Sequence, residues 1–422
     1  MDSSASKHLG RNDFLVKNDK ISSSSDQRES GRQQVISAIR KAEQIARIDI
    51  ASQTGFSPAT VTSITSELLN AGLIEEVAAS EQRDTKRGRP RVALKIRGDS
   101  HFVAGIKVAN TSATVALMNF EGQTIAESEI PLPSSQLSGP EMVNFIRTAL
   151  EDTLEDTELS IEKLSGLGLG VAGIIDAPRG FVYWSPSMTE RNVPLRDLIE
   201  ADIPLPVFID NDANLVAKAE QLFGMGKSYS DFIVVTIEHG VGMGIVIDGQ
   251  IYRGTRGCGA EFGHTKVHLN GALCRCGQRG CLEAYVADYA LMREAEIMGS
   301  GGNEELSENR LAQLFTDAKS GDSLAQSIFH RAGTMFAMGL ANIVNIFDPE
   351  LIILSGERMQ FDYLYADDVI ETMKKSVVQI DAPLPQVKIH KWGDLMWAKG
   401  AAAFAMEGVT ELAIREITHN AV

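Results

Sequence analysis

Between residues 32 and 72 the apolar positions fall at helical spacing, with Val35, Ile36, Ile39 and Ala42 making one face. A short second segment, residues 49–54, ends at Gly55. Ser57 then suits an N-cap and Pro58 a first helical turn, opening a helix that turns Val61, Ile64, Leu68 and Leu69 inward and stops at Gly72. Residues 73–77 and 92–96 read as two short strands, joined by a polar tip holding Lys86, Arg87, Gly88, Arg89, Pro90 and Arg91. Helix, short helix, turn, helix and a two-stranded wing predict a winged helix-turn-helix over residues 32–97. Residues 1–31 are rich in Ser, Asp, Lys and Gln with few apolar positions, which predicts a mobile leader.

After Asp99 the pattern becomes a long α/β alternation. Strands are expected over 102–108 and 113–119, the latter turning at Glu121 and Gly122 into 124–130. A second meander, 232–237 and 242–247, turns at Asp248 and Gly249 into 250–253. Two similar openings predict two lobes. Helical stretches are expected near 140–155, 213–223, 287–298, 325–344 and 394–406, with buried strands at 167–171 and 351–354.

The 422 residues, 44% of them hydrophobic, exceed what one compact core usually organises and predict a folded protein of several domains. No apolar run approaches the roughly 18 residues that cross a bilayer, and the amino terminus has no apolar signal core, so a cytoplasmic location without membrane attachment is expected. The net charge of −16 is unevenly spread. Residues 32–97 carry 11 Lys and Arg against 7 Asp and Glu, whereas residues 98–422 carry 24 against 44. A small basic module is thus joined to a large acidic body, which excludes a wholly basic nucleic-acid binder but leaves the amino-terminal module suited to DNA.

On the helix opening at Pro58, the outward residues near its start are Ser57, Ala59, Thr60, Thr62 and Ser63, short enough to approach base edges or phosphates of double-stranded operator DNA. Arg87 and Arg89, in an Arg-Gly-Arg-Pro run, have the form of a minor-groove hook. The competing readings are a protein-binding helix-turn-helix and a solvated charge run.

Three of the four cysteines lie within eight residues, in Cys274, Cys276 and Cys281, ten residues beyond His264. Three thiolates and one imidazole at that density point to a closed, structural zinc (Zn2+) site, with His268 a rival to His264. Glu261 and Glu283 flank these ligands, so the metal would hold a polar pocket in shape. Cys258 has no evident disulfide partner, and the thiol usage fits a reducing compartment.

Four motifs resemble the ROK family of bacterial repressors and sugar kinases. They are Glu261-Phe262-Gly263-His264 with the run from Cys274 to Glu283; Asn211-Asp212-Ala213-Asn214; Gly170 to Asp176; and the glycine-rich Gly240-Val241-Gly242-Met243-Gly244. With the winged module, the match is to the family's repressor branch. The resemblance implies a two-lobed, actin-like (ribonuclease H-like) α/β domain over residues 98–422, with a sugar or sugar-phosphate effector in the cleft between lobes. It implies as well a homodimer or homotetramer. Gly173, Asn211, Asp212, Glu261, His264 and Glu283 are the expected effector ligands, since carboxylates and amides grip sugar hydroxyls in pairs. One alternative reading is that Asp212 and Glu283 merely begin helices.

In the family's kinases the counterpart of Asp212 takes a proton from the sugar hydroxyl, while glycine-rich turns hold ATP. Here Lys107-Val108-Ala109-Asn110-Thr111 stands where an Asp-x-Gly-Gly-Thr loop is expected, and Glu238-His239 where the second loop opens with Gly-Thr. A carboxylate among phosphates is repulsive, so no catalytic residue and no kinase activity are expected. The alternatives are an ATP-dependent sugar kinase with a DNA-binding appendage, and a repressor controlled by a regulatory partner protein.

Overall fold

A computed structural model describes residues 24–78, 92–109, 111–297, 308–356, 359, 362–364, 367–378, 383–391 and 395–420. The chain divides into two compact units, one running to Asn211 and taking up Ala401–Val422, the other spanning Asp212–Gly400.

The first unit opens with α1 (Ser24–Ala42), β1 (Ile45–Ala46), α2 (Arg47–Thr54), α3 (Pro58–Asn70), β2 (Ile74–Ala78) and β3 (Val92–Ile96). Val35, Ile36, Ile39, Ile50, Val61, Leu68 and Leu94 bury a small core, as the helical spacing requires. Pro58 sits in the first turn of α3 behind Ser57, whose hydroxyl accepts from the Thr60 N–H at 3.1 Å. Gly55 ends α2 at φ 71°, a left-handed conformation that costs glycine little.

Two expectations are corrected here. The leader was expected to reach residue 31, yet α1 starts at Ser24; a Cβ on Gly31 would lie 3.4 Å from the Ile64 side chain, and Arg32 is buried, so tertiary contacts carry the helix back beyond its apolar stretch. The rest of the leader, residues 1–23, lies outside the described residues. The wing also gains a strand, in sheet order β1-β3-β2, because Ile45 and Ala46 pair antiparallel with Leu94 and Ala93. Residues 79–91, with Arg87 and Arg89, lie outside the described residues.

The body of this unit comprises β4 (Phe102–Val108), β5 (Ser112–Asn119), β6 (Thr124–Pro131), α4 (Gly139–Leu154), β7 (Gly166–Val171), β8 (Ile174–Asp176), β9 (Phe181–Trp184), α5 (Leu195–Asp202) and β10 (Val207–Asn211). Its sheet runs β10-β7-β4-β5-β6, with β10, β7 and β4 parallel and the β4-β5-β6 meander antiparallel. Ser138 caps α4 in a reciprocal capping box with Glu141.

The second unit comprises α6 (Asp212–Phe223), β11 (Phe232–Ile237), β12 (Val241–Ile247), β13 (Gln250–Ile251), α7 (Glu283–Val286), α8 (Asp288–Ile297), α9 (Glu308–Lys319), α10 (Ser323–Phe347), β14 (Leu351–Ser355), α11 (Asp367–Ser376) and β15 (Gln386–Ile389). Its sheet runs β13-β12-β11-β14-β15, again a parallel set fused to an antiparallel meander. The two lobes expected from the repeated meander are present as two sheets of like topology. The last helix, α12 (Leu395–Asn420), begins in the second unit and ends in the first. In the first unit it lies so close to β7 that a Cβ on Gly168 would come 1.8 Å from the Ala401 carbonyl oxygen.

Within the first unit the winged module is tied to the body by arginines. Arg32 Nη1 donates to Thr418 Oγ1 of α12 at 2.7 Å, and its other nitrogens engage Glu67 of α3 at 2.7 and 2.8 Å. The Arg40 guanidinium lies 4.9 Å from the Phe120 ring centroid and donates to the Phe120 carbonyl at 3.4 Å. Burial lowers its pKa to about 10, against the pull of Glu407, which still leaves it charged at neutral pH. No helix among the described residues is long and apolar enough to cross a membrane.

Candidate functional site

The sequence from Glu261 to Glu283 folds back on itself through bridges pairing Lys266 with Cys281 and Leu273 with Arg279. Two glycines permit the reversal. Gly277 and Gly280 adopt φ of 86° and 79°, and a Cβ on Gly280 would sit 2.0 Å from the His268 carbonyl oxygen.

This folding brings His264, Cys274, Cys276 and Cys281 together, with one ligand atom from each lying within 4.8 Å of the others. His264 Nδ1 is 3.7 Å from Cys274 Sγ, and the Cys276 and Cys281 sulfurs are 3.7 Å apart. Two thiolates at zinc–sulfur bonds of about 2.3 Å in a tetrahedron are separated by roughly 3.8 Å, so the quartet has the dimensions and donor chemistry of a metal site. His264 turns Nδ1 toward the sulfurs, which leaves Nε2 for another partner. The rival His268 is engaged elsewhere, its Nδ1 lying 3.2 Å from the Tyr285 hydroxyl.

Polar groups surround the quartet. Lys266 Nζ lies 2.9 Å from Cys281 Sγ, and that hydrogen bond raises the lysine pKa. Burial raises the Cys274 pKa, opposed by the hydrogen bond that Tyr289 donates to its sulfur at 3.5 Å. Metal binding must therefore displace that proton. The Tyr289 hydroxyl is itself pushed up by burial and by Cys274, so it remains a donor, and it also reaches Glu283 Oε1 at 3.2 Å. Arg275 stacks over the Tyr289 ring at 4.1 Å. Sequence reasoning missed Lys266 and Tyr289; Lys266 stands two residues beyond a ligand, but only the fold brings Tyr289 to the sulfur.

The expected effector ligands fall into two groups. In the first unit Gly173 takes φ 122°, and Asn211 Nδ2 donates to its carbonyl at 2.9 Å, which joins the β7–β8 turn to the end of β10. In the second unit Asp212, Glu261, His264 and Glu283 gather. Glu261 has an exposed surface, yet burial of its carboxyl raises its pKa, with His264 opposing and Asp212 and Glu283 adding. The helix-start reading holds alongside this grouping. Asp212 Oδ1 accepts from the Ala213 N–H at 2.9 Å, and Glu283 is the first residue of α7.

The residues at the two expected loop positions make local structural contacts. Lys107 is buried at the end of β4 opposite Thr114. The Glu238 N–H donates to the Gly240 carbonyl at 3.0 Å, and His239 Nδ1 lies 3.4 Å from Asp288. The retained glycines serve packing. Cβ atoms on Gly242 and Gly244 would come within 2.8 and 2.6 Å of Ala213 on α6.

On α3, Ser57, Ala59, Thr60, Thr62 and Ser63 are all exposed. Part of their hydrogen-bonding capacity is used locally, as Thr62 Oγ1 donates to the Pro58 carbonyl at 2.8 Å and Ser57 and Thr60 hydroxyls are 2.8 Å apart.

A profile of the ROK family matches residues 103–407, nearly the whole α/β body. The chain belongs to the ROK family. Among its relatives are a xylose repressor of Caldicellulosiruptor bescii, 29% identical over 78% of this chain and 84% of that protein, and the dual regulator NagC of Escherichia coli, 28% identical over 75% and 78%. Family enzymes are related too: a glucokinase of Streptomyces coelicolor is 30% identical over 72% of this chain and 97% of that protein. Among solved structures, a ROK family transcriptional regulator described as a homologue of E. coli MLC covers 93% of this chain and 99% of its own, at a TM-score of 0.76 and 24% identity. That likeness establishes the fold across the winged module and the ROK body together. A Streptomyces griseus ROK glucokinase in complex with glucose and AMPPNP matches 72% of this chain and 99% of its own, at TM-score 0.61 and 28% identity.

Proposed function

We propose that this protein is a sequence-specific DNA-binding repressor of carbohydrate genes, controlled by a sugar or sugar phosphate and devoid of kinase activity. The observation that carries the reading is the joining of one exposed, Ser/Thr-lined helix start in a winged fold to a ROK body through Arg32 and Arg40. A sugar kinase has no use for such a module. A ROK family transcriptional regulator of known structure covers 93% of this chain, whereas the ROK glucokinase covers 72%, and this difference in extent supports the reading.

In this reading Ser57, Ala59, Thr60, Thr62 and Ser63 face the major groove, and Arg87 and Arg89 enter the minor groove. Gly173, Asn211, Asp212, Glu261, His264 and Glu283 bind the effector, with Asp212 accepting a hydroxyl hydrogen bond rather than removing a proton for transfer. The quartet His264, Cys274, Cys276 and Cys281 holds structural zinc, which supplies a fixed positive centre with no open coordination position. His264 then presents Nε2 to a sugar hydroxyl in a set tautomer. The protein acts in the cytoplasm as a homodimer or homotetramer, and the effector biases the spacing of paired winged modules on operator half-sites.

The test is a thermal-shift screen with D-xylose, N-acetyl-D-glucosamine, D-glucose and their phosphates, repeated with operator DNA and with Glu261→Ala. A stabilising sugar whose effect disappears in the variant, and which changes operator affinity, is the expected result. The glucokinase relatives and the retained Asp212 favour one rival, and ATP-dependent phosphorylation of a hexose at a useful rate would establish it. Intact operator binding with no sugar shift at all would point to control by a partner protein.

A further inference from the structure

The hairpin β8–β9 follows Gly173 directly; its register pairs Ile174 with Trp184 and then shifts by one residue, at Tyr183, so that Ile175 pairs with Val182. Cross-strand partners in an antiparallel ladder project from the same face. Ile174 and Trp184 are 37% and 39% exposed, while the alternate positions Ile175 and Val182 are buried in the core. Two apolar side chains therefore stand side by side at the surface, next to the backbone that Asn211 holds through the Gly173 carbonyl.

The contact is close. A Cβ on Gly173 would come 2.2 Å from the Trp184 carbonyl oxygen, so the polar turn and the indole-bearing strand are in backbone contact. On the same segment, three residues beyond Trp184, Ser187 is 1% exposed and its hydroxyl has no hydrogen-bond partner among the described residues. A buried hydroxyl left unsatisfied is uncommon and costly, and commonly marks a place where a ligand or water completes the bond.

We propose that Trp184, backed by Ile174, is a stacking platform for the pyranose ring of the effector, and that it selects sugars presenting one face of C–H groups. The inference rests on the sugar-effector reading above and names a residue that determines which sugar is taken. A pyranose is amphipathic: hydroxyls ring its edge, and its axial hydrogens make an apolar face. Asn211 and the Gly173 turn suit the first, and an indole suits the second. An apolar patch of two side chains is too small for a protein interface but matches one sugar ring.

The chain has three tryptophans, Trp184, Trp392 and Trp397. Trp397 is buried at 1% exposure, and Trp392 lies outside the described residues. The experiment titrates D-xylose, N-acetyl-D-glucosamine and D-glucose into the full-length protein and into Trp184→Phe and Trp184→Ala, following tryptophan emission and melting temperature together. The expected result is an emission change on binding that is absent from both variants. Affinity should fall about tenfold in Trp184→Ala and less in Trp184→Phe, which keeps an aromatic face. Unchanged melting of the sugar-free variants shows that the fold is retained; if Trp184→Ala melts early, Trp184→Phe decides through its emission. Sugar binding at unaltered affinity in Trp184→Ala, or an emission change that persists in Trp184→Phe, overturns the platform alone. Absence of any thermal shift with all three sugars overturns the effector reading and the platform with it.

Discussion

Replacing Arg32 by alanine removes a side chain that is 4% exposed and joins α3 to α12, whose Thr418 lies 386 residues beyond it in sequence. Its guanidinium engages Glu67 on α3 at 2.7 and 2.8 Å and Thr418 on α12 at 2.7 Å. Charge-assisted hydrogen bonds contribute about 1.5–3 kcal/mol when buried. Glu67 is 38% exposed, so water replaces much of what it loses. Thr418 keeps its donor bond to the Ile414 carbonyl at 3.1 Å and loses only an acceptor role. Adding the apolar stem, the net cost is about 2–3 kcal/mol. Thr418→Val alone should cost about 1 kcal/mol, and the double variant should fall short of the sum by about 1 kcal/mol. Urea unfolding followed by circular dichroism supplies the cycle, read on the transition that Arg32→Ala moves, because a protein of two units need not unfold in one step. Operator affinity measured alongside should fall, since α3 loses its anchor to α12. Additivity within about 0.3 kcal/mol would refute a tie between the winged module and α12 through Arg32.

Four further outcomes are expected. Chelation or Cys276→Ser should release the metal, seen by elemental analysis, and should cost the sugar response before it costs operator binding; the reverse order would count against a brace for the effector pocket. His101 sits with Nδ1 2.8 Å from the Ser165 hydroxyl, and burial lowers its pKa, against the pull of Glu416. The fold favours its neutral form, so its contribution is complete above the ordinary value of 6.5 and is lost as pH falls through the depressed value; His101→Gln should flatten melting temperature against pH in that window. Gly173→Ala places a Cβ 2.2 Å from the Trp184 carbonyl at φ 122°, and should destabilise by about 2 kcal/mol or more and abolish the sugar response in calorimetry. Arg87→Ala with Arg89→Ala should lower the slope of operator affinity against salt by about 2, and an unchanged slope would remove both from the phosphate-rich interface.

Much of the fold was legible because it is written in short-range patterns. The meanders around Glu121-Gly122 and Asp248-Gly249 appear as β4–β6 and β11–β13, since alternation and turn residues act over a few positions. Boundaries shifted where distant contacts intervene. The helix expected over 287–298 is α8, and a further short helix, α7, precedes it, with Ala284, Tyr285 and Val286 buried beside the cysteine loop. The last helix, expected to stop at 406, runs to Asn420, where Thr418 meets Arg32. The hairpin β8–β9 went unseen: its strands span three and four residues, too few for a period to register.

The gathering of His264, Cys274, Cys276 and Cys281 was determined by the sequence itself, because four donors that could hold a metal lie within a span short enough for local turns, with Asn270, Gly277 and Gly280 at its positive-φ positions. The winged helix-turn-helix and the two α/β lobes were determined in the same way, by spacing and capping. Only the tertiary structure decided that Arg32 joins α3 to α12, that Tyr289 and Lys266 attend the sulfurs, and that Trp184 stands beside Gly173. Such juxtapositions depend on long-range packing, in which a side chain's partner is set by the path of the chain through space rather than by its neighbours in sequence.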